Sequence, residues 1–248
     1  MHLIVIASTM IVGDTLKGAE LYQALYQVGY GSEGTMVHYY PILREIDAFG
    51  AKASSVLDVG CSHGGGVKAL WNSGKIASGV DISSSAIDMA RSRHGDHPDM
   101  CVSKCWQPAS ATSLPFQDSS FDAIMSTDVL EHLEPFDVDT AVREFVRVAR
   151  SWLFLKISNR GESSRMNRIK APVGRNANDT FSNVVRRKYN RDLPPQLHTT
   201  VRDGSWWISK FKSYGFYLHH HIKLPNWACC GFVLHANTSR GGGSRTYR

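Results

Sequence analysis

The run Asp58-Val-Gly60-Cys-Ser62-His-Gly64-Gly65-Gly66 constrains this 248-residue chain more than any other feature. It follows a short apolar segment, Val56–Val59, and leads into a helix-like stretch over Gly64–Asn72. Glycines at such a turn admit positive φ and let a ligand approach the backbone closely. In an open α/β sheet that turn lies at the carboxyl ends of the strands, where ligands bind. A dinucleotide fingerprint, G-x-G-x-x-G, fits imperfectly, because Ser62 stands at its second glycine and Asp58 is a poor neighbour for pyrophosphate. Gly60-Cys-Ser62-His-Gly64 also spells the G-x-S-x-G nucleophile elbow, but no oxyanion motif lies upstream of it. A third chemistry emerges from the rest of the chain.

Strand-like and helix-like periods alternate along the sequence. Helices are expected around Ala19–Val28 and Thr35–Phe49, then over Gly64–Asn72, Ser83–Arg93 (with Ser83 as N-cap) and Val138–Ala149. Strands are expected at Val56–Val59, Ile76–Asp81, Met100–Cys105, Phe121–Thr127 and Trp152–Ile157. From Asn159 to Gly204 the pattern breaks around Pro172, Pro194 and Pro195, with a weak helical signal over Thr180–Lys188. A helix over Trp206–Tyr214, ended by Gly215, and two strands, Phe216–His221 and Gly231–Ala236, close the chain. The expectation is one α/β domain over residues 1–248. Within it, 1–50 would form a helical cap, 51–158 a cofactor-binding core and 159–204 an insertion before the last strand pair. Residues 205–236 would supply the closing elements and 237–248 a flexible tail.

Charge is unevenly spread. The whole chain carries +6, and the insertion alone has ten Lys or Arg against four Asp or Glu. Arg165, Arg168, Lys170, Arg186, Arg187 and Lys188 are candidates to grip phosphates, as in RNA, or to form a solvated cationic lid. Five cysteines without a C-x-x-C pair read as reduced thiols of an intracellular, cytoplasmic protein. The apolar segment Met1–Val12 falls short of a membrane span and lacks a signal peptide's basic start, so it reads as a buried strand or flap. His219-His220-His221 would alternate sides in a strand and so cannot present three ligands together.

Several motifs, in order, resemble those of class I S-adenosylmethionine (SAM) methyltransferases. Val56–Gly65 is similar to the family's acidic-x-G-x-G-x-G motif with Ser62 for the middle glycine, and Val80-Asp81-Ile82-Ser83 to its second motif. Leu114-Pro-Phe116-Gln-Asp118-Ser-Ser-Phe121-Asp122 and Val129-Leu-Glu131-His132-Leu133 resemble the segments flanking its fourth strand. The resemblance implies a seven-stranded, mostly parallel Rossmann-like sheet with helices on both faces, an antiparallel last strand, and SAM as cofactor. It further implies that Asp58 and carbonyls near Gly60 and Gly64 serve the methionine ammonium. Asp81 would hold the ribose hydroxyls, Ile82 one adenine face, and Ser110 and Ala111 the adenine edge.

On the acceptor side, an oxygen nucleophile must lose a proton, which favours a histidine or carboxylate near the methyl. Asp128 and His132, four apart, would share a helical face, with His132 as general base and Asp128 orienting it or touching cofactor or acceptor. His198, ahead of Trp206-Trp207 and Gly215-Phe216, resembles a feature of members that act on sugars or small hydroxylated metabolites. The Trp pair would stack on a sugar or fill the core. Asp128-x-x-Glu131-His132 also resembles the ligand spacing of two magnesium-dependent branches, so Asp128, Glu131 and His132 are metal candidates, although a metal is not favoured. The expected reaction is O-methylation of a glycan or small hydroxylated metabolite. RNA methylation, or a scaffold that has lost catalysis, are the alternatives.

Overall fold

Parallel strands need crossover connections, and the helices between the apolar runs supply them. The computed structural model describes residues 15–31, 36–159, 179–224 and 230–237. Its strands are β1 (Ser55–Val59), β2 (Ile76–Asp81), β3 (Trp106–Pro108), β4 (Phe121–Thr127), β5 (Ala149–Ile157), β6 (Phe216–His221) and β7 (Cys230–Ala236). They form one seven-stranded sheet in the order β3-β2-β1-β4-β5-β7-β6. β1 to β5 pair in parallel, and β7 runs antiparallel to both β5 and β6. The chain order reverses between β1 and β4, so their carboxyl ends flank the crevice where such sheets bind ligands.

The helices are α1 (Gly18–Gln27), α2 (Met36–Ala48), α3 (Gly65–Asn72), α4 (Ser84–His94), α5 (Val138–Val148), α6 (Phe181–Tyr189) and α7 (Gly204–Ser213). Period-2 alternation sends Leu57 to one face of the sheet and Val56 to the other. Leu57 joins Phe121, Phe145, Trp207 and Phe211 under α5 and α7. Val56 joins Val67, Leu70, Ile87 and Phe154 under α2, α3 and α4. A third apolar cluster, with Leu21, Leu25, Phe181, Val185 and Leu197, packs α1 against α6. Side-chain caps start three helices: Ser83 Oγ accepts from Ala86 N, Thr180 Oγ1 from Asn183 N, and Asp203 from Trp206 N. Each contributes about 1 kcal/mol.

The Leu114-Pro-Phe116 segment is fixed from α5. Glu144 accepts from Leu114 N at 2.7 Å, while Arg147 donates to the Leu114 and Phe116 carbonyls at 3.0 and 2.7 Å. That arrangement satisfies loop backbone groups that no strand partner reaches.

Four expectations are corrected. The third strand begins at Trp106, not Met100, because Cys101 and Cys105 form a disulfide that holds their Cα atoms 5.0 Å apart. Four extended steps would separate them by ~13 Å, so the run cannot be a strand. The same bridge overturns the reduced-thiol reading and the cysteine argument for a cytoplasmic protein. Cys61 is free and buried. In β6 a bulge between Leu218 and His220 breaks the expected alternation. His219 and His220 therefore face each other, Nδ1 to Nδ1 at 2.7 Å, and His220 Nε2 lies 2.9 Å from Glu45. Lastly, the sugar-stacking reading fails for Trp207, which is fully buried core as the other reading had it, while Trp206 lies beside Arg202 and Lys210. Met1–Val12 and most of the tail lie outside the described residues.

Candidate active site

The glycine turn is built by approach distances. Gly60 has φ +81°, and a Cβ there would lie 2.2 Å from Val129 Cγ2, so only glycine lets the turns after β1 and β4 meet. Gly60 N and Cys61 N both donate to the Val80 carbonyl, at 2.8 and 2.9 Å. Ser62 has φ +50°, in the left-handed region where the resembled motif has glycine. Its N–H donates to Asp81 Oδ2 at 2.9 Å, and Ser83 N–H donates to Oδ1 at 3.0 Å. Burial nevertheless pushes the Asp81 carboxyl up to about 6, against those two hydrogen bonds.

Asp58 is wholly buried, and neither carboxylate oxygen has a hydrogen-bond partner among the described residues. Gly66 makes room for it, since a Cβ there would sit 2.6 Å from Asp58 Oδ2. Burial, then the nearby Asp81, raises its pKa well above the ordinary carboxylate value. An unsatisfied buried carboxylate is costly unless a cation or N–H donors complete it. That donor deficit fits a cofactor bearing an ammonium.

One cavity of about 720 Å³ joins the two halves of the site. Gly60, Ser62, Asp81, Ile82, Ser110 and Ala111 line one part, and Asp128, His132 and His198 another. Asp58 and Gly64 are set back from this surface. Ser110 Oγ pairs with the Thr112 hydroxyl at 2.8 Å.

The turn after β4 differs from the expected helical face. Asp128 has φ +54°, and a single 3-10 turn, Leu130–His132, follows it. The Asp128 carboxylate is ion-paired with Lys156, a buried ammonium on β5, and the orienting partner of His132 is the Leu197 carbonyl. That carbonyl, 3.0 Å from Nδ1, only accepts, so Nδ1 carries the proton and Nε2 is the lone-pair nitrogen of the neutral ring. Burial, then the adjacent His198, holds the His132 pKa down to about 4. His198 reaches the site because Thr199 N and Thr200 N both donate to the Glu131 carbonyl, at 2.9 and 3.0 Å. Glu131 is itself buried, with Oε1 accepting from Ser158 N at 2.9 Å. Burial, then Asp128, pushes its pKa well up.

The side chains that could jointly hold a cation are Glu131, His132 and His198, whose donor atoms lie within 4.8 Å of one another. Asp128 is not in that group. Of the phosphate-contact candidates, Arg186 pairs with Asp192 and Arg187 with Asp179, while Lys188 lies over the Tyr189 ring. Arg165, Arg168 and Lys170 fall outside the described residues. The sequence reading missed Lys156 and an aromatic wall of Tyr22, Tyr26, Tyr30 and Phe181 on the cavity. The wall had a signal, tyrosines spaced by four along α1 and its end.

Residues 57–152 match a family described as a methyltransferase domain. A fatty-acid O-methyltransferase of Mycolicibacterium smegmatis is 34% identical over 115 residues, 45% of this chain and 38% of that protein. The O-methyltransferase resE of Aspergillus sclerotiorum is 34% identical over 162 residues, 61% of this chain and 57% of that protein. The chain thus spans well under two thirds of either relative. Among solved structures, the magnesium protoporphyrin IX methyltransferase of Synechocystis with bound SAM superposes with a TM-score of 0.55 at 13% identity. That match covers 87% of this chain and 91% of the other. Residues 57–152 thus match a methyltransferase domain, and the sheet around them has the fold of the SAM-dependent methyltransferases.

Proposed function

We propose that this chain transfers a methyl group from SAM to an oxygen of a small molecule. The observation that carries the reading is the single cavity that joins the glycine turn and Asp81 to His132 and His198. Asp81 serves the cofactor's ribose hydroxyls, Ile82 one adenine face, and Ser110 with Ala111 the adenine edge, while Asp58, set back from the cavity, puts negative charge behind the glycine turn on the ammonium's side. When bound, SAM supplies an already activated methyl-sulfonium. The protein's task is alignment and exclusion of water. His132 accepts the acceptor's O–H at Nε2 and fixes the oxygen lone pair toward the methyl. Its low pKa makes it a weak base, so it takes the proton late, as the oxygen turns acidic on gaining the methyl. Lys156 neutralises Asp128 at the back of the site.

The paired state of Arg186 and Arg187 favours a small acceptor over RNA. Labelled-methyl transfer from SAM into fractionated extract tests the reading: label should enter the small-molecule pool. Label confined to RNA would overturn the acceptor class, and failure of SAM to bind in calorimetry would overturn the activity.

A further inference from the structure

The acceptor end of the cavity has a composition that selects among small molecules. Leu16, Leu21, Tyr22, Phe181, Pro194 and Leu197 give it an apolar side, and Tyr26 and Tyr30 also line the cavity. Tyr30 meets Phe181 edge to face at 6.1 Å, and Tyr22 meets His132 the same way at 5.8 Å. No arginine lines the cavity among the described residues, and its one lysine, Lys17, is exposed. Lys156, the buried cation close by, is engaged with Asp128 and is not on the wall. The polar groups at His132 on this wall include two acceptors, its Nε2 lone pair and the Asp128 carboxylate.

Resting on the methyltransferase reading above, we infer that the acceptor is a neutral hydroxyl carried on a flat, apolar, aromatic body. A carboxylate or phosphate brings a charge for which the described residues of the wall offer no buried cation, and an unpaired buried charge is expelled. A phenolic hydroxyl brings the donor that the lone pair of His132 Nε2 accepts. A sugar ring, polar around most of its edge, matches that apolar and aromatic side less well than an aromatic body does. The edge-to-face geometry of the tyrosines suits an inserted ring. In the transfer, the acceptor oxygen forms a bond to the methyl carbon while the sulfur–carbon pair returns to sulfur. The O–H proton passes to His132 Nε2, leaving S-adenosylhomocysteine, a methyl ether and an imidazolium that then loses its proton to solvent.

The experiment measures binding of 2-naphthol, 2-naphthoic acid and methyl glucoside to the protein saturated with S-adenosylhomocysteine, at a pH where the naphthol is un-ionised. 2-Naphthol should bind at least on the order of tenfold more tightly than the other two, because only it pairs the wall's acceptor and fills its apolar surface. With SAM in place of the product, it should give the methyl ether. Leu133→Arg, which sets a cation on the cavity wall, should narrow or invert the preference over naphthoate. Naphthoate or glucoside binding as tightly as naphthol to the unaltered protein would overturn the acceptor class, and so would binding of none of the three. Failure of S-adenosylhomocysteine itself to bind would instead overturn the methyltransferase reading on which the class rests.

Discussion

The imidazoles of His132 and His198 meet edge to face, ring centroids 4.6 Å apart and planes at 80°, on the wall of one cavity. The His198 ring adds to the cost of protonating His132, after burial itself. His132→Ala should lower kcat on the order of 10²- to 10⁴-fold with SAM affinity unchanged. Its low pKa keeps the ring neutral until pH falls toward about 4. At saturating cofactor, His132 should therefore impose no loss of kcat between pH 8 and 6. Near-normal turnover in the alanine variant would remove His132 from the chemistry.

SAM affinity should depend on pH through Asp81. Ribose hydroxyls donate to a carboxylate, so binding favours the ionised form. Burial raises the Asp81 pKa to about 6, so as pH falls through that value the protonated form takes over and affinity drops. Calorimetry between pH 8 and 5 should show this weakening, and Asp81→Asn should bind weakly with the dependence gone. A pH-independent dissociation constant in the unaltered protein would count against the assignment.

Gly60→Ala should be damaging out of proportion to one methyl group. The added Cβ would lie 2.2 Å from Val129 Cγ2 in a backbone with φ +81°. Overpacking of about 1–3 kcal/mol adds to the left-handed penalty of about 1–2 kcal/mol. Chemical denaturation should read a loss of that order, together with lost SAM binding. Gly74→Ala is the control, having similar φ (+78°) and nothing within 4 Å of its Cβ, so it should show the backbone part alone. Equal losses in the two variants would remove the Val129 contact from the account.

Chelation is expected to leave turnover intact. The half-buried carboxylate of Asp128 already has the Lys156 ammonium, and Glu131 Oε1 and His132 Nδ1 are spent on Ser158 and Leu197. Turnover with and without EDTA, each with saturating SAM, is the measurement. A loss restored by added divalent ion would make Glu131, His132 and His198 ligands instead.

Most of the sheet was legible because its buried strands announce themselves by apolar runs. Ile76–Asp81, Phe121–Thr127 and Phe216–His221 fall where the periodicity puts them. β3 was not, because a three-residue edge strand carries little pattern and the apolar signal beside it belongs to a disulfide loop. The bulge at His219 was hidden for a related reason: an inserted residue leaves composition unchanged while reversing the side every later residue faces. At the site, the glycine turn was legible in its own residues and the His132 segment through its family resemblance, while the four-residue spacing of Asp128 and His132 pointed to a helical face that a 3-10 turn replaces. The partners of those residues were not legible. Lys156 reads simply as a strand residue, and the Leu197 carbonyl has no side-chain signature at all.

The Glu131 carbonyl accepts two successive amides, Thr199 and Thr200, from the far end of the insertion. Its grip is made through main-chain atoms, which every substitution except proline preserves. The exposed side chains ahead of it can thus change while the residue at 198 is still delivered to the same place, provided Phe181, Val185 and Leu197 keep their packing against α1. A lineage of such enzymes could exchange one acceptor for another by editing the insertion and inherit the transfer geometry intact.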